Sequence, residues 1–260
     1  LLDKRNFFIQ IFIIVLFLLL GATNFNSINL SVLEIIGVVL LLLTVLFVGY
    51  TDNSNDLISV SSYPAFLYIL WIMPFVEGLT DYRIAGSLLL ITYITTKLLY
   101  FESEKNDYFN AFDIGLFTSF AILLNPPLIF LGIMVFTYFL TLRTVEPKVP
   151  ILGFLGFLVP VLIIAQISFL MDYYFMFDFY RVQLLPMMIH FELKQLFLIP
   201  LIIILIISLV HYLKNSNKFS AQKKRMFFLI HLMFFTSLIT FVFYGGNNDT
   251  YLAFLAFNAM

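Results

Sequence analysis

The chain has 260 residues, of which 62% are hydrophobic and 11% charged, against about 25% charged in soluble domains. With a mean hydropathy of +1.03, one or two ordinary soluble domains are excluded, because a globule of this size could not hide so much apolar surface. A net charge of −1 and the absence of cysteine argue against nucleic acid as a partner and against disulfide frameworks, Fe–S clusters and thiolate zinc sites.

A spanning helix needs about 20 mostly apolar residues. Such runs predict an all-α, polytopic transmembrane bundle of about nine to ten spans, forming a single integral membrane domain over 1–260 that is incomplete at one or both ends. In chain order the spans are Asn6 to Gly21, Val32 to Tyr50, Leu57 to Val76, Ile84 to Tyr100, Phe109 to Leu124, Pro126 to Leu142, Pro150 to Leu170, Leu196 to Leu213 and Met226 to Tyr244, with a tenth begun at the C-terminus. Asn125-Pro126-Pro127 is either a kink in one helix or a hairpin between two. Charge favours the hairpin. With the N-terminus cytoplasmic, the inside segments then carry Lys4, Arg5, Lys97, Lys105, Arg143, Lys148 and the group from Lys214 to Arg225, eleven of the 14 basic residues, as the positive-inside rule requires. Abundant Phe and Tyr, with lysine exceeding arginine, suit an AT-rich bacterial genome and hence the inner membrane.

Ionisable groups within spans are costly and so are the first places to look for chemistry. Asp113 and Arg143, on either arm of the hairpin, are expected at similar depth as a structural ion pair. Glu34, Glu77, Asp81 and Arg83 are the candidates for catalysis at an external groove, Glu34 being otherwise a solvated acid at a helix start. His231 is expected to hydrogen-bond across helices. The external segment Met171 to Gln195 alternates aromatics with charges. Its residues Tyr173, Tyr174, Asp178, Arg181 and His190 form either an interfacial belt or a docking surface for lipid head groups or a partner subunit. No metal site or cofactor is expected, since three scattered histidines and no nucleotide or zinc motif are present.

Three stretches carry a resemblance: the helix ending in Lys97 before a charged loop, Phe112-Asp113-x-Gly115 at the start of the next span, and Gly153/Gly156 to Pro160. The chain resembles an uncharacterised domain-of-unknown-function family of polytopic inner-membrane proteins from flavobacteria and their relatives. At the level of fold it is also similar to membrane glycosyltransferases that use polyprenyl-phosphate sugars. That similarity implies a catalytic acid in the first external loop, whereas Ala22 to Ser31 contains none and Glu34 arrives only with the next helix. The first expectation is a non-enzymatic membrane subunit or scaffold of a cell-envelope complex, with lipids and protein subunits as partners. A lipid-linked glycosyltransferase or lipid-handling enzyme is the alternative. A small-solute transporter is the third, disfavoured by the lack of an internal repeat.

Overall fold

The structure is a computed structural model and describes residues 31–51, 63–72, 75, 80–99, 101, 107–141, 147–171, 180–185, 198–215, 219–245, 251 and 253–254. Its helices are α1 (Val32–Thr51), α2 (Tyr63–Ile72), α3 (Tyr82–Leu99), α4 (Asp107–Leu124), α5 (Ile129–Thr141), α6 (Lys148–Leu170), α7 (Leu198–Asn215) and α8 (Ala221–Tyr244), with a 3₁₀ turn at Pro126–Leu128 before α5. The described residues include no strand, so the all-α reading holds.

Local sequence sets where these helices start. Ser31 and Glu34 form a capping box at α1: the Ser31 hydroxyl accepts from the Glu34 N–H at 3.3 Å, while the Glu34 carboxylate accepts from the Ser31 N–H at 2.7 Å. Asp81 caps α3 by accepting from the Arg83 N–H at 2.9 Å, and Ser220 caps α8 by accepting from the Lys223 N–H at 3.3 Å. Each cap satisfies N–H groups that the first helical turn leaves without a partner.

Among the described residues, two helices are long and apolar enough to cross a membrane, Lys148–Leu170 with 23 residues and Lys223–Tyr244 with 22. The stretches Val32–Val48, Tyr108–Leu124 and Pro126–Thr141 are apolar but shorter. Nine or ten full-length spans are therefore not found among the described residues. Of the span expected over Leu57 to Val76, the described part is α2 and Phe75; the rest lies outside the described residues. The span expected over Asn6 to Gly21 lies outside the described residues.

The directions in which the helices pack agree with the hairpin reading. Gly37 of α1 lies against the Thr80 carbonyl, and Phe47 of α1 meets Tyr93 of α3 at 5.9 Å between ring centroids, so α1 and α3 run parallel. Lys97 Nζ donates to the side-chain Oδ1 of Asn110 at 3.0 Å, and Tyr93 packs edge-on to Phe117 at 4.7 Å, so α3 and α4 are antiparallel. A methyl at Gly132 of α5 would meet Ile122 at 3.0 Å and Thr118 at 3.8 Å. Residues seven before and seven after Asn125 are thus neighbours, and Asn125-Pro126-Pro127 joins a hairpin rather than kinking one helix.

Among the described residues the most extensive helix contact is that of α4 with α6, which run parallel: Phe112 and Leu152 line a groove at one end of the pair, Ile122 and Val161 a groove toward the other. Gly115 lies against the Gly153 carbonyl and Gly156 against the Phe112 carbonyl. Without side chains at these positions the two backbones approach to a separation that a Cβ would block. Gly153 instead makes room for the Phe139 ring of α5, which an added methyl would meet at 2.8 Å.

The apolar core includes Leu41, Ile69, Ile94, Ile114, Val135 and Leu229, drawn from α1 to α5 and α8. The buried polar residues are mostly threonines and serines. Thr92, Thr95, Thr118 and Thr240 each return the hydroxyl to the carbonyl four residues earlier, at 2.6–3.0 Å, which satisfies it without a partner from outside the helix.

Candidate functional site

The parallel and antiparallel pairings bring the start of α1, the start of α3, the 125–128 turn and the 180–185 segment to one end of the bundle. Three tyrosine hydroxyls tie this end together. Tyr180 donates to the Leu123 carbonyl at 3.2 Å, Tyr244 to the Leu184 carbonyl at 3.3 Å, and Tyr251 to Oδ1 of Asn125 at 3.1 Å. Burial raises the Tyr180 pKa, with the charge of Arg83 opposing, so the phenol keeps the proton that it donates.

Glu34, Asp81 and Arg83 share this end, but the two acids are held by backbone. Glu34 also accepts from the Ser31 hydroxyl at 2.8 Å, which completes the capping box. Asp81 holds the first turn of α3. The Arg83 Nε donates to the Tyr82 hydroxyl at 3.1 Å, and that bond raises the Arg83 pKa, burial opposing, so the guanidinium stays charged. The groove at this end, about 170 Å³, is lined by apolar groups from α4, α5 and α6 with Ser168, Tyr180 and Leu184, and by none of these three residues. Glu77, Tyr173, Tyr174, Asp178 and His190 lie outside the described residues, and Arg181 is exposed. Replacing Glu34 with Ala is expected to lower the melting temperature by removing the reciprocal cap, whereas Glu34→Gln retains most of it, because glutamine closes the same box. Equal losses in thermal unfolding assays would contradict this.

The remaining candidates divide. Asp113 is half-buried on α4, and Arg143 lies outside the described residues, so their pairing is not among the described contacts. His231 does not bond across helices as expected. Its Nδ1 donates to the Phe227 carbonyl of its own helix at 2.7 Å, and its ring lies beside Tyr212 of α7 at 6.4 Å between centroids. No group of three or more His, Cys, Asp or Glu among the described residues is placed to hold a metal ion.

Two features escaped the sequence reading. The capping box was visible as Ser31-x-x-Glu34 ahead of an apolar run. The Tyr251 to Asn125 bond joins residues 126 positions apart and leaves no local signal.

The described residues define an all-α protein with two helices able to cross a membrane and glycine-mediated close packing between α4 and α6. The chain belongs to the family of unknown function DUF6427, whose model matches residues 1–260. No curated protein and no solved structure matches it.

Proposed function

We propose that this chain is a polytopic protein of the bacterial inner membrane, with about nine to ten spans and a cytoplasmic N-terminus, and that it acts as a non-enzymatic subunit or scaffold of a cell-envelope complex. The observation that carries the reading is α6. Its buried residues are Val149, Gly153, Gly156, Pro160 and Ser168, while Ile151, Leu162, Ile163 and Leu170 are 59%, 54%, 50% and 80% exposed. A helix that packs only through a narrow stripe of mostly small residues, with its other faces apolar, suits hydrocarbon as solvent. On α7, Ile203, Ile206 and Ile207 are exposed in the same way.

Charge supports the orientation. Lys97 at the end of α3, Lys148 at the start of α6, Lys214 at the end of α7 and Lys223, Lys224 and Arg225 at the start of α8 gather at the end opposite Arg83 and Arg181. The basic end is the cytoplasmic one. A subunit or scaffold role is favoured over catalysis because Glu34 and Asp81 are engaged as helix caps. Purification in mild detergent is expected to bring down stoichiometric protein partners; a chain that runs alone from native membranes would overturn the subunit role.

A further inference from the structure

We propose that the turn between α7 and α8 binds the head group of an anionic phospholipid of the cytoplasmic leaflet, held by Lys214 at the end of α7 and Lys223 at the start of α8. The assignment rests on the membrane reading above. Three rings hold the two helix ends together. Tyr212 of α7 stacks on Phe227 of α8 at 5.3 Å between centroids, and Phe219 in the turn stacks on both, at 6.1 Å and 5.5 Å. Lys214 follows Tyr212 by two positions and Lys223 precedes Phe227 by four, so both side chains leave the backbone close to this stack, and both residues are exposed.

The charge at this turn is not compensated from within. Residues 193–248 contain no acid, and among the described residues none of Lys214, Lys223, Lys224 and Arg225 pairs with a carboxylate. Lys223, Lys224 and Arg225 stand at the start of α8, where the positive end of the helix dipole disfavours cations, and the first turn has no acid to offset them. The positive-inside rule asks only for cations on this side of the membrane, not for three in succession at a helix start. An anion outside the protein turns the same arrangement into a gain. The position of the turn decides which anion. Lys223 opens the 22-residue stretch Lys223–Tyr244, which is long and apolar enough to cross a membrane, and clustered cations immediately cytoplasmic of a spanning helix attract anionic lipid. Tyr212 suits the same depth, because tyrosine is enriched in the head-group layer. An acidic protein segment would meet the same cations only after displacing the head groups among which the span holds them.

The full chain, purified in mild detergent, tests this by titration with phosphatidylglycerol or phosphatidylcholine, read as bound lipid by native mass spectrometry, and by flotation after reconstitution in vesicles of equal parts of the two lipids. Wild type should float and bind phosphatidylglycerol preferentially. Lys214→Gln and Lys223→Gln, checked for folding by gel filtration, should each weaken phosphatidylglycerol binding about fivefold and leave phosphatidylcholine binding unchanged, while Lys214→Arg and Lys223→Arg should keep the preference. A preference that both Gln variants leave unchanged, or the absence of one in a chain that floats, overturns the site while leaving the membrane reading intact. Displacement of phosphatidylglycerol by inorganic phosphate overturns the lipid assignment in favour of a plain anion site. Copurification of an acidic protein that the Gln variants release, without a lipid preference, overturns it in favour of a protein partner. Failure to float overturns the membrane reading and the site with it.

Discussion

Gly115→Leu and Gly156→Leu are expected to prevent assembly of a stable bundle, each costing about 3 kcal/mol or more. Overpacking a core with added carbon atoms typically costs about 1–3 kcal/mol when side chains can yield. Here they cannot, because the atoms met first are the backbone carbonyls of Gly153 and Phe112. Relief requires α4 and α6 to move apart, and this contact is the principal attachment of α6. Gly132→Ala provides the contrast. Its added methyl would meet the end of the Ile122 side chain at 3.0 Å, which can rotate, so the loss should be small. Thermal unfolding and gel-filtration profiles in detergent distinguish the cases; a monodisperse Gly156→Leu protein with the wild-type melting temperature would contradict the close crossing.

Tyr251→Phe is expected to cost about 1–3 kcal/mol, the usual penalty for leaving a buried polar group without its partner. Asn125 is 4% and Tyr251 6% exposed, and the Tyr251 hydroxyl donates to Oδ1 of Asn125 at 3.1 Å. Asn125 Nδ2 has no hydrogen-bond partner among the described residues, so removing the phenol strands the whole amide. Asn125→Leu should destabilise by a similar amount by orphaning the hydroxyl. The double variant should cost less than the sum, since each substitution removes a group that the other strands. Additive losses in chemical or thermal unfolding would show that the bond does not couple the C-terminal turn to the hairpin.

Much of the fold was legible because the apolar runs and their interruptions are long-range statistics of the chain. The hairpin at Asn125 followed from the distribution of lysines and arginines, and Gly132 beside Thr118 and Ile122 bears it out. Gly153 and Gly156 could be read as a close-approach surface, but their partners Gly115 and the Phe112 carbonyl could not be identified, because register between helices leaves no local trace. The site was less legible. Glu34 stood out as an acid near the outer end of a span, yet its role is set by Ser31 three residues earlier, a local signature that the search for catalytic acids passed over. His231 was assigned a partner on another helix, whereas the Phe227 carbonyl one turn earlier on its own helix satisfies the same ring nitrogen.

The central claim, that the chain threads a membrane with its basic end in the cytoplasm, is tested most directly by single-cysteine labelling, since the sequence contains no cysteine of its own. Arg83→Cys and Arg181→Cys mark one end of the bundle, Lys148→Cys and Lys223→Cys the other. A membrane-impermeant maleimide applied to intact cells whose outer membrane has been permeabilised should label the first pair at once and the second pair only after the inner membrane is lysed. Labelling of both pairs before lysis, or of neither, would contradict the account.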